Sequence, residues 1–330
     1  KKWYQKRLKK VDQRIGQLLA ECERVDQRET DSGSMVKMPK ELKSQQRLKA
    51  SIESALAEFV GQSQRTKDGK VRKVNRVDPQ SRQMKSRQGT HPSYAVQSVV
   101  DDQNGLIVQI DAVNDANDSS QLADQIKAAE ENLKHDCQIA CADAGYSNID
   151  QIDKIESDQR SVLVPSQRQA SHKPPGPFDK NRFVYNSEQD CYLCPQGHRL
   201  IFRRFQDKAH KKRDYRIEKP AVCRACDHFG VCTKSKSGRI ITRHVSEELK
   251  QKVEQRYEQD HMRQIYDRRK ARVEHPFGYV KKVLNFTQFS LRGRAGAKTE
   301  ASILATCFNL TRMIALMGGV HQMVTTLATV

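Results

Sequence analysis

The stretch QIACADAGY, Gln138–Tyr146, is an apolar run that stops at a carboxylate, Asp143, and then breaks at Gly145. Such a run predicts a buried β-strand, and an acid at its tip would lie at the edge of a sheet, where a metal ligand is well supported. Asp-x-Gly is also typical of turns, so Asp143 alone has two interpretations, a metal ligand or an ordinary turn acid. A second acid far downstream, Glu274, favours the first interpretation.

The composition points to a polyanionic partner. The 330 residues include 59 Lys and Arg against 40 Asp and Glu, a net charge of +19 at pH 7, and the basic residues are spread along the chain. Such a field favours nucleic acid, and no apolar run approaches the roughly 20 residues of a membrane-spanning helix. Nine cysteines without a signal-peptide pattern indicate a reducing compartment, where clustered thiols more often bind metal than form disulfides. Because the chain opens with Lys1-Lys2-Trp3, we expect it to be part of a longer protein.

Residues 1–70 are predicted to be an N-terminal helical region with a linker. Apolar residues recur at helical spacing from Lys1 to about Thr30 and again over Pro39–Gln62. Packing or self-association of the first helix is favoured over direct contact with DNA.

The pattern of apolar residues changes over residues 71–165 and predicts an α/β segment. The expected elements are a strand at Lys73–Asp78, a hairpin of Ser93–Val100 and Leu106–Val113 with an Asn-Gly turn signal, a helix at Asp118–Leu133, a strand at Gln138–Asp143, a helix at Asn148–Ser157 and a strand at Arg160–Pro165. Early antiparallel strands followed by alternating helices and strands describe a mixed sheet flanked by helices.

Residues 166–245 are predicted to be a cysteine-rich insertion, and residues 246–330 a helical part of the core. A long charged helix is expected over Ser246–Arg272, continuing through Val273–Leu284 past a kink at Pro276. A basic turn is expected at Asn285–Lys298, followed by a last core helix at Glu300–Leu316.

Two-metal phosphoryl chemistry needs two or three carboxylates that hold divalent ions roughly 3.5–4 Å apart. Asp78 at the end of the first predicted strand, Asp143 and Glu274 fit that requirement. One face of the late helix carries Tyr266, Lys270, Glu274 and Lys281, which follow one another in steps of four, four and seven residues. Arg269 lies beside this face. A basic face that carries one acid suits phosphate contacts around a metal site.

These acids, their order and their surroundings resemble the DDE transposases of bacterial insertion sequences, in the ribonuclease H-like superfamily of the retroviral integrases. The stretches that carry the resemblance are VDPQSR (Val77–Arg82), SYAVQSVVDDQNGLIVQIDAVNDANDSSQL (Ser93–Leu122), ADAGYSN (Ala142–Asn148), CYLCPQGHRL (Cys191–Leu200), and YDRRKARVEHPFGYVKK (Tyr266–Lys282) with FSLRGRAGAKTEASILATCFNLTRM (Phe289–Met313) behind it. The family's signature of a Tyr, an Arg, the catalytic Glu and a Lys maps onto Tyr266, Arg269, Glu274 and Lys281.

The resemblance implies a ribonuclease H-like α/β fold and a bacterial, cytoplasmic, nucleoid-associated transposase. Its activity would be metal-dependent strand cleavage at transposon ends, followed by attack of the freed 3′-hydroxyl on target DNA by a homodimer or higher oligomer. Mg²⁺ or Mn²⁺ would be held by Asp78, Asp143 and Glu274, and DNA would be contacted by Tyr266, Arg269, Lys270 and Lys281. The alternatives are a related nuclease and a catalytically inactive zinc-ribbon protein that binds DNA.

The first acid is where the sequence departs from the family. The family's first Asp commonly opens a D-P-D-A-R-like run, whereas Asp78 is followed by PQSR. Asp101 and Asp118 therefore remain candidates for the first acid. Asp101 is also interpretable as a hairpin-turn residue, and Asp118 as a helix N-cap.

The cysteines of the insertion are spaced like zinc ligands. Cys191-x-x-Cys194 and Cys223-x-x-Cys226 are paired knuckles and predict a structural zinc ion, with Cys232, His198 and His228 as spare ligands. Reduced cysteines packed in a small β subdomain are the alternative. Basic residues between the knuckles would also allow the insertion to hold DNA.

Overall fold

A computed structural model describes residues 2–26, 40–60, 74–86, 89–157, 159–171 and 174–328. The internal contacts divide the chain into two compact units. Unit 1 comprises Lys1–Asn117 and Ala271–Val330, and unit 2 comprises Asp118–Lys270.

In the described ranges, the helices are α1 Lys2–Asp26, α2 Lys40–Val60, α3 Leu122–Leu133, α4 Ile149–Ile155, α5 Gln167–Ala170, α6 Pro220–Arg224, α7 Glu247–Tyr257, α8 Asp260–Lys282, α9 Gly293–Leu316 and α10 Val320–Ala328. The strands are β1 Arg82–Ser86, β2 Gly89–Ser93, β3 Ala95–Val100, β4 Ile107–Val113, β5 Ile139–Cys141, β6 Ser161–Leu163, β7 Val184–Asn186, β8 Cys191–Leu193, β9 Arg199–Phe205, β10 Lys212–Ile217 and β11 Ile240–His244.

The two N-terminal helices of unit 1 pack against each other, as their apolar periodicity predicts. The side chains buried along α1 and α2 are Val11, Leu18, Leu42, Ile52 and Ala55. Exposed ion pairs, Arg14 with Glu41 at 2.9 Å and Lys49 with Asp12 at 2.7 Å, lie at the edges of this contact. Such exposed pairs contribute little free energy, so the apolar seam stabilises the helix pair.

The prediction of a strand at Lys73–Asp78 is wrong for the residues of that range that the structure describes, because residues 74–81 form bends and turns. The backbone N–H and the hydroxyl of Ser81 donate to the carbonyl of Asp78 at 3.2 and 2.7 Å, closing a turn around Pro79. Pro79 has no N–H to give to a ladder, which favours a turn here. Strand β1 begins at Arg82, directly after this turn, and pairs antiparallel with β2. The sequence pattern did not predict this pair of strands.

The predicted Asn-Gly hairpin is confirmed. Strands β3 and β4 pair antiparallel over Ala95–Val100 and Ile107–Val113. Helix α9 packs on this hairpin through Ile107, Ala305 and Phe308. The side chain of Asn309 both accepts from the Ile107 N–H and donates to the Ile107 carbonyl, at 2.8 Å each, and so ties the start of β4 to the helix.

Helix α9 begins earlier than predicted, at Gly293 instead of Glu300, so the last residues of the expected basic turn are helical. Gly293 has a φ of +77°, a conformation that favours glycine. The face of α9 buried in unit 1 carries Ala297, Ala301, Ala305 and Phe308. Among the described helices none is long and apolar enough by itself to cross a membrane; only Gly293–Leu316 taken with Val320–Thr326, bent by 94°, has the length and composition.

Unit 2 contains an α/β layer built on the parallel pair β5 and β6. Ala140 and Val162, at the centres of the two strands, are buried with Ile152 and Ile155 of α4 and Val253 of α7. The predicted strand at Gln138–Asp143 is shortened to Ile139–Cys141, so Asp143 lies two residues beyond its end. The helices predicted at Asp118–Leu133 and Asn148–Ser157 are present over shorter ranges.

Unit 2 also holds a five-stranded antiparallel sheet in the order β11-β10-β9-β8-β7. Its buried face carries Phe183, Tyr192, Leu200, Tyr215, Ile217 and Ile241. The single helix predicted over Ser246–Arg272 is wrong, because α7 ends at Tyr257 and α8 starts at Asp260. The break allows the Tyr257 ring to pack edge-on against Tyr266 of α8, with centroids 5.1 Å apart.

The structure confirms a mixed α/β protein but shows a different sheet arrangement from the one predicted. In the part of the chain that is described, β3–β4 and β5–β6 are separate two-stranded sheets and do not form one mixed sheet. A ribonuclease H-like core therefore stays a prediction. Pro276 lies inside α8 and is buried.

Candidate catalytic acids and cysteine cluster

Asp143 makes the turn contact that its sequence suggested. Its Oδ1 accepts a hydrogen bond from the Gly145 N–H at 2.8 Å and caps the short 3-10 helix Ala144–Tyr146. A Cβ atom at Gly145 would lie 2.9 Å from that oxygen, so a larger residue would disturb the turn. Because the side chain is exposed and a carboxylate has about four acceptor sites, the turn leaves Asp143 able to bind a cation.

Asp143 shares its surroundings with Tyr266 and Arg269, two of the α8 residues predicted from sequence to contact DNA. Burial raises the pKa of the Tyr266 phenol, the charge of Arg269 opposes that rise and the charge of Asp143 adds to it. Burial likewise raises the pKa of Tyr146, with Asp118 and Asp143 adding to the rise and Arg269 opposing it. Unit 2 therefore places a basic residue, two phenols and two acids in one neighbourhood.

Arg269 has donor capacity to spare in that neighbourhood. Its guanidinium carbon lies 4.9 Å from the centroid of the Tyr266 ring, a cation–π contact that orients the planar group. Its Nε is buried and has no hydrogen-bond partner among the described residues. A buried unsatisfied donor is costly, and an anion such as a DNA phosphate would satisfy it.

Asp78 is held by two hydrogen bonds within unit 1. Its Oδ1 accepts from the Tyr94 hydroxyl at 2.7 Å and its Oδ2 accepts from the Gly293 N–H at 3.1 Å. Burial and the neighbouring Asp78 raise the pKa of Tyr94, so this phenol stays a donor. Asp78 and Lys281 line one cavity of about 730 Å³.

The two other candidates for the first acid have different surroundings. Both oxygens of Asp101 are engaged by its own hairpin loop, because they accept from the N–H groups of Asn104 and Leu106 at 2.6 Å each. Asp118 opens a short 3-10 helix, and the N-cap of α3 is Gln121, so the interpretation of Asp118 as the N-cap of that helix is wrong.

Glu274, Lys270 and Lys281 are exposed on α8. Asp78, Glu274 and Lys281 belong to unit 1, whereas Asp143, Tyr266, Arg269 and Lys270 belong to unit 2. In the described ranges no group of three or more His, Cys, Asp or Glu side chains is arranged to hold a metal ion. The three-carboxylate site therefore stays a prediction.

Four cysteines of unit 2 line a small cavity of about 30 Å³ beside the buried face of the five-stranded sheet. They are Cys194, Cys223, Cys226 and Cys232. Cys191, which the sequence analysis included among the zinc ligands, is fully buried in β8 and does not line the cavity. Burial raises the pKa of the Cys232 thiol, Arg239 opposes that rise, and the other three thiols add to it.

The structure adds polar residues that the sequence analysis missed. Tyr94 and Gly293 hold Asp78, and Arg294 pairs with the buried Asp111 at 3.0 Å. The tyrosine of SYAVQS and the glycine of LRGRAG stand inside stretches that resemble the family. The contacts of Gly293 and Arg294 join residues 215 and 183 positions apart, which no local pattern indicates.

Comparison with known families gives a match over part of the chain. Residues 193–314 match the family described as Transposase DDE domain. The match supports a DDE transposase. It covers Tyr266, Arg269, Lys270, Glu274 and Lys281, and the four cavity cysteines, but not Asp78 or Asp143. For a transposase of this kind the expected activity is a transposition-related nuclease acting on DNA. No curated protein and no solved structure matches the chain.

Proposed function

We propose that this protein is a transposase that cuts DNA strands at transposon ends and joins the freed ends to target DNA. The match of residues 193–314 to a transposase DDE domain carries the proposal, because it includes the helix with Glu274 and its basic partners. The net charge of +19 supports a DNA substrate. A homodimer or higher oligomer that holds two ends is part of the same proposal.

Asp78, Asp143 and Glu274 are the proposed ligands of Mg²⁺ or Mn²⁺. Their chemistry fits these ions, which prefer oxygen ligands supplied by carboxylates. When bound, such ions supply activation of a water or sugar hydroxyl and stabilise the leaving oxygen. Tyr94 and the Gly293 N–H fix the orientation of the Asp78 carboxylate, and the Gly145 N–H fixes that of Asp143.

Four residues of α8 are proposed to hold the DNA backbone: Tyr266, Arg269, Lys270 and Lys281. Arg269 is restrained by the Tyr266 ring and presents a planar donor set that suits a phosphate. Lys270 and Lys281 are exposed, flexible cations that contribute charge without fixed geometry. The attacking group in the joining step is the freed 3′-hydroxyl of DNA, so no covalent bond to a protein side chain is formed.

The joining step is tested with oligonucleotides that carry the element's terminal repeat, identified as inverted repeats flanking the gene. With Mg²⁺ or Mn²⁺, the full-length protein should convert pre-cut ends and a supercoiled plasmid into joined products. Ends that finish in a 2′,3′-dideoxynucleotide lack the attacking group and should give none. Joining of dideoxy ends, or a covalent protein–DNA adduct trapped on denaturation, would contradict the proposed chemistry.

Assays of DNA cleavage and of DNA joining also distinguish the transposase from the two alternative functions. A related nuclease would cut the ends without joining them to target DNA. An inactive DNA-binding protein would retard the repeat in a gel without cutting it. A structural zinc ion in unit 2 is proposed in addition, and it is independent of the cleavage and joining chemistry.

A further inference from the structure

The cavity lined by Cys194, Cys223, Cys226 and Cys232 is small and sulfur-rich, and the rest of its exposed lining is mostly apolar. Its volume of about 30 Å³ leaves room for roughly one water-sized particle. Its remaining wall includes Phe178, Ile217, Val222 and Phe229. A small cavity with four soft ligand atoms and an apolar wall suits a single thiophilic cation.

We propose that Cys194, Cys223, Cys226 and Cys232 bind one structural zinc ion as a tetrathiolate. This set differs from the one predicted from sequence spacing, in which Cys191 stood in the place of Cys232. The proposal does not depend on DNA cleavage, and its failure would leave the proposed transposase activity untouched.

Strand geometry separates Cys191 from Cys194. Side chains alternate between the two faces of a strand, so Cys191 and Leu193 point to one side of β8 and Tyr192 to the other. Tyr192 belongs to the buried cluster, and Cys194, two residues on, packs against that same cluster with Cys223 and Cys232. Cys191 is fully buried on the opposite side of the strand.

The turn after β8 is shaped around the Cys194 sulfur. The His198 N–H donates to Cys194 Sγ at 3.3 Å, and the Gly197 N–H donates to the Cys194 carbonyl at 2.8 Å. Gly197 adopts a φ of +79°, so the turn requires a residue without a Cβ. A backbone N–H aimed at sulfur stabilises a thiolate, the form in which cysteine binds metal.

The other three sulfurs come from one compact run of turns. Cys223 lies in the last turn of α6 and Cys226 follows the helix, with the Cys226 N–H donating to the Cys223 carbonyl at 3.4 Å. Cys232 donates its N–H to the His228 carbonyl at 2.9 Å. A Cβ at Gly238 would lie 2.2 Å from Ile217 and 3.3 Å from Cys223 Sγ, so glycine there keeps the cavity wall closed.

Arg239 supplies an independent sign that the cavity holds negative charge. It lines the cavity and donates through its two terminal nitrogens to the carbonyls of Cys232 and Phe178, at 2.9 and 3.0 Å. Its Nε is buried and has no hydrogen-bond partner in the described part of the chain. Four thiolates around Zn²⁺ carry a net charge of −2, which a buried guanidinium would partly offset.

The thiols share a cavity without already forming a coordinated group. Zinc binding and local folding are coupled, because the ligands must lose their protons and be drawn to about 2.3 Å from the metal. The two histidines that line the same cavity are weaker candidates. The His228 ring packs against Phe178 with centroids 4.8 Å apart, and His198 is exposed.

The zinc content of the purified full-length protein tests the proposal. Protein produced with added zinc and passed through a desalting column should retain about one zinc ion per chain. Cys191→Ser is the matched control and should retain the same amount, whereas Cys232→Ser should fall below half an equivalent. Less than half an equivalent in the unmodified protein, or loss of zinc in Cys191→Ser with retention in Cys232→Ser, would overturn the proposal.

Cobalt substitution gives a second readout, in which Cys232 is replaced by another metal ligand instead of by serine. Co²⁺ occupies tetrahedral zinc sites, and its sulfur-to-metal charge-transfer absorption increases with the number of thiolates. The unmodified protein and Cys191→Ser should both give a four-thiolate spectrum, and Cys232→His, which keeps a ligand at that position, should give a three-thiolate spectrum. A three-thiolate spectrum in Cys191→Ser, or an unchanged one in Cys232→His, would contradict the ligand set.

Discussion

The guanidinium of Arg269 lies over the ring of Tyr266, 4.9 Å from its centroid, although the two residues are only three positions apart on α8. Tyr266 also packs edge-on against Tyr257 of the preceding helix. The tyrosine pair thus restrains Arg269, whose buried Nε lacks a partner among the described residues. This arrangement suits the proposed role of Arg269, which is to hold a DNA phosphate near Asp143.

Replacing Arg269 by Lys should lower strand cleavage by about tenfold, since the charge is kept but the stacked, planar donor set is lost at roughly 1–2 kcal/mol. The rate is measured on terminal-repeat DNA at saturating Mg²⁺. Arg268→Lys, the same change at the exposed neighbouring position, is the matched control and should cleave normally. Equal rates for all three proteins would show that the stacked guanidinium has no role.

Asp78 and Asp101 can be separated as candidates for the first catalytic acid. Asp78→Asn should reduce cleavage by roughly a thousandfold, because a lost metal ligand removes several kcal/mol of transition-state stabilisation. Asp101→Asn should cleave normally when folded but lose about 1–3 kcal/mol of stability, because its carboxylate accepts two loop N–H groups. The opposite pattern of cleavage would transfer the role to Asp101.

Asn309 should stabilise unit 1 through its two hydrogen bonds to Ile107. Asn309→Ala leaves the N–H and the carbonyl at the start of β4 without these partners and should cost about 1–3 kcal/mol of unfolding free energy in urea. Cys307→Ala, at an exposed position of the same helix, should change it by less than about 0.5 kcal/mol. A similar small effect for both variants would contradict this role of Asn309.

Glu156 and Arg256 should make the stability of unit 2 depend on pH. Arg256 donates to both carboxylate oxygens at 2.5 and 3.0 Å, and the Val162 N–H donates to the same carboxylate at 2.8 Å. Burial raises the pKa of Glu156, but these donors outweigh it and hold the pKa below the ordinary 4.5. The stabilisation is therefore complete above pH 4.5 and is lost as the pH falls through the lower folded-state value.

Glu156→Gln breaks this pair, whose side chains are only 5% and 11% exposed, and should cost about 3 kcal/mol near pH 7. The difference from the unmodified protein should shrink as urea unfolding is repeated toward about pH 4 and below. Glu188→Gln, at an exposed turn, should show no such trend. A Glu156→Gln difference that stays constant with pH would exclude the ion pair as its cause.

Local sequence patterns predicted much of the secondary structure. The Asn-Gly hairpin, the two N-terminal helices and the strand before Asp143 are present because turn chemistry and apolar periodicity act over a few residues. The strand expected before Asp78 failed because the Pro79 turn ends extended structure there. The single helix expected over Ser246–Arg272 failed because its charged periodicity continues across the break after Tyr257.

Features that depend on distant residues could not be predicted. Spacing alone grouped Cys191 with Cys194 as zinc ligands. The alternation of side chains along β8 puts the two cysteines on opposite sides of the strand. That alternation can be used only when the position of the strand is known. The hydrogen bond from the Gly293 N–H to Asp78 joins residues 215 positions apart in sequence. The stacking of Arg269 on Tyr266 is local and follows from helical spacing, so it was within reach of the sequence.

The rate at which Glu274→Gln cleaves terminal-repeat DNA, relative to the unmodified protein, tests whether Glu274 is a metal ligand of the proposed active site. Gln keeps the size and hydrogen-bonding capacity of Glu274 but not the charge that binds Mg²⁺ or Mn²⁺. We expect a loss of roughly a thousandfold or more with DNA binding retained, and normal cleavage by the exposed control Glu188→Gln. Cleavage by Glu274→Gln at the unmodified rate would contradict the assignment of this helix to the active site.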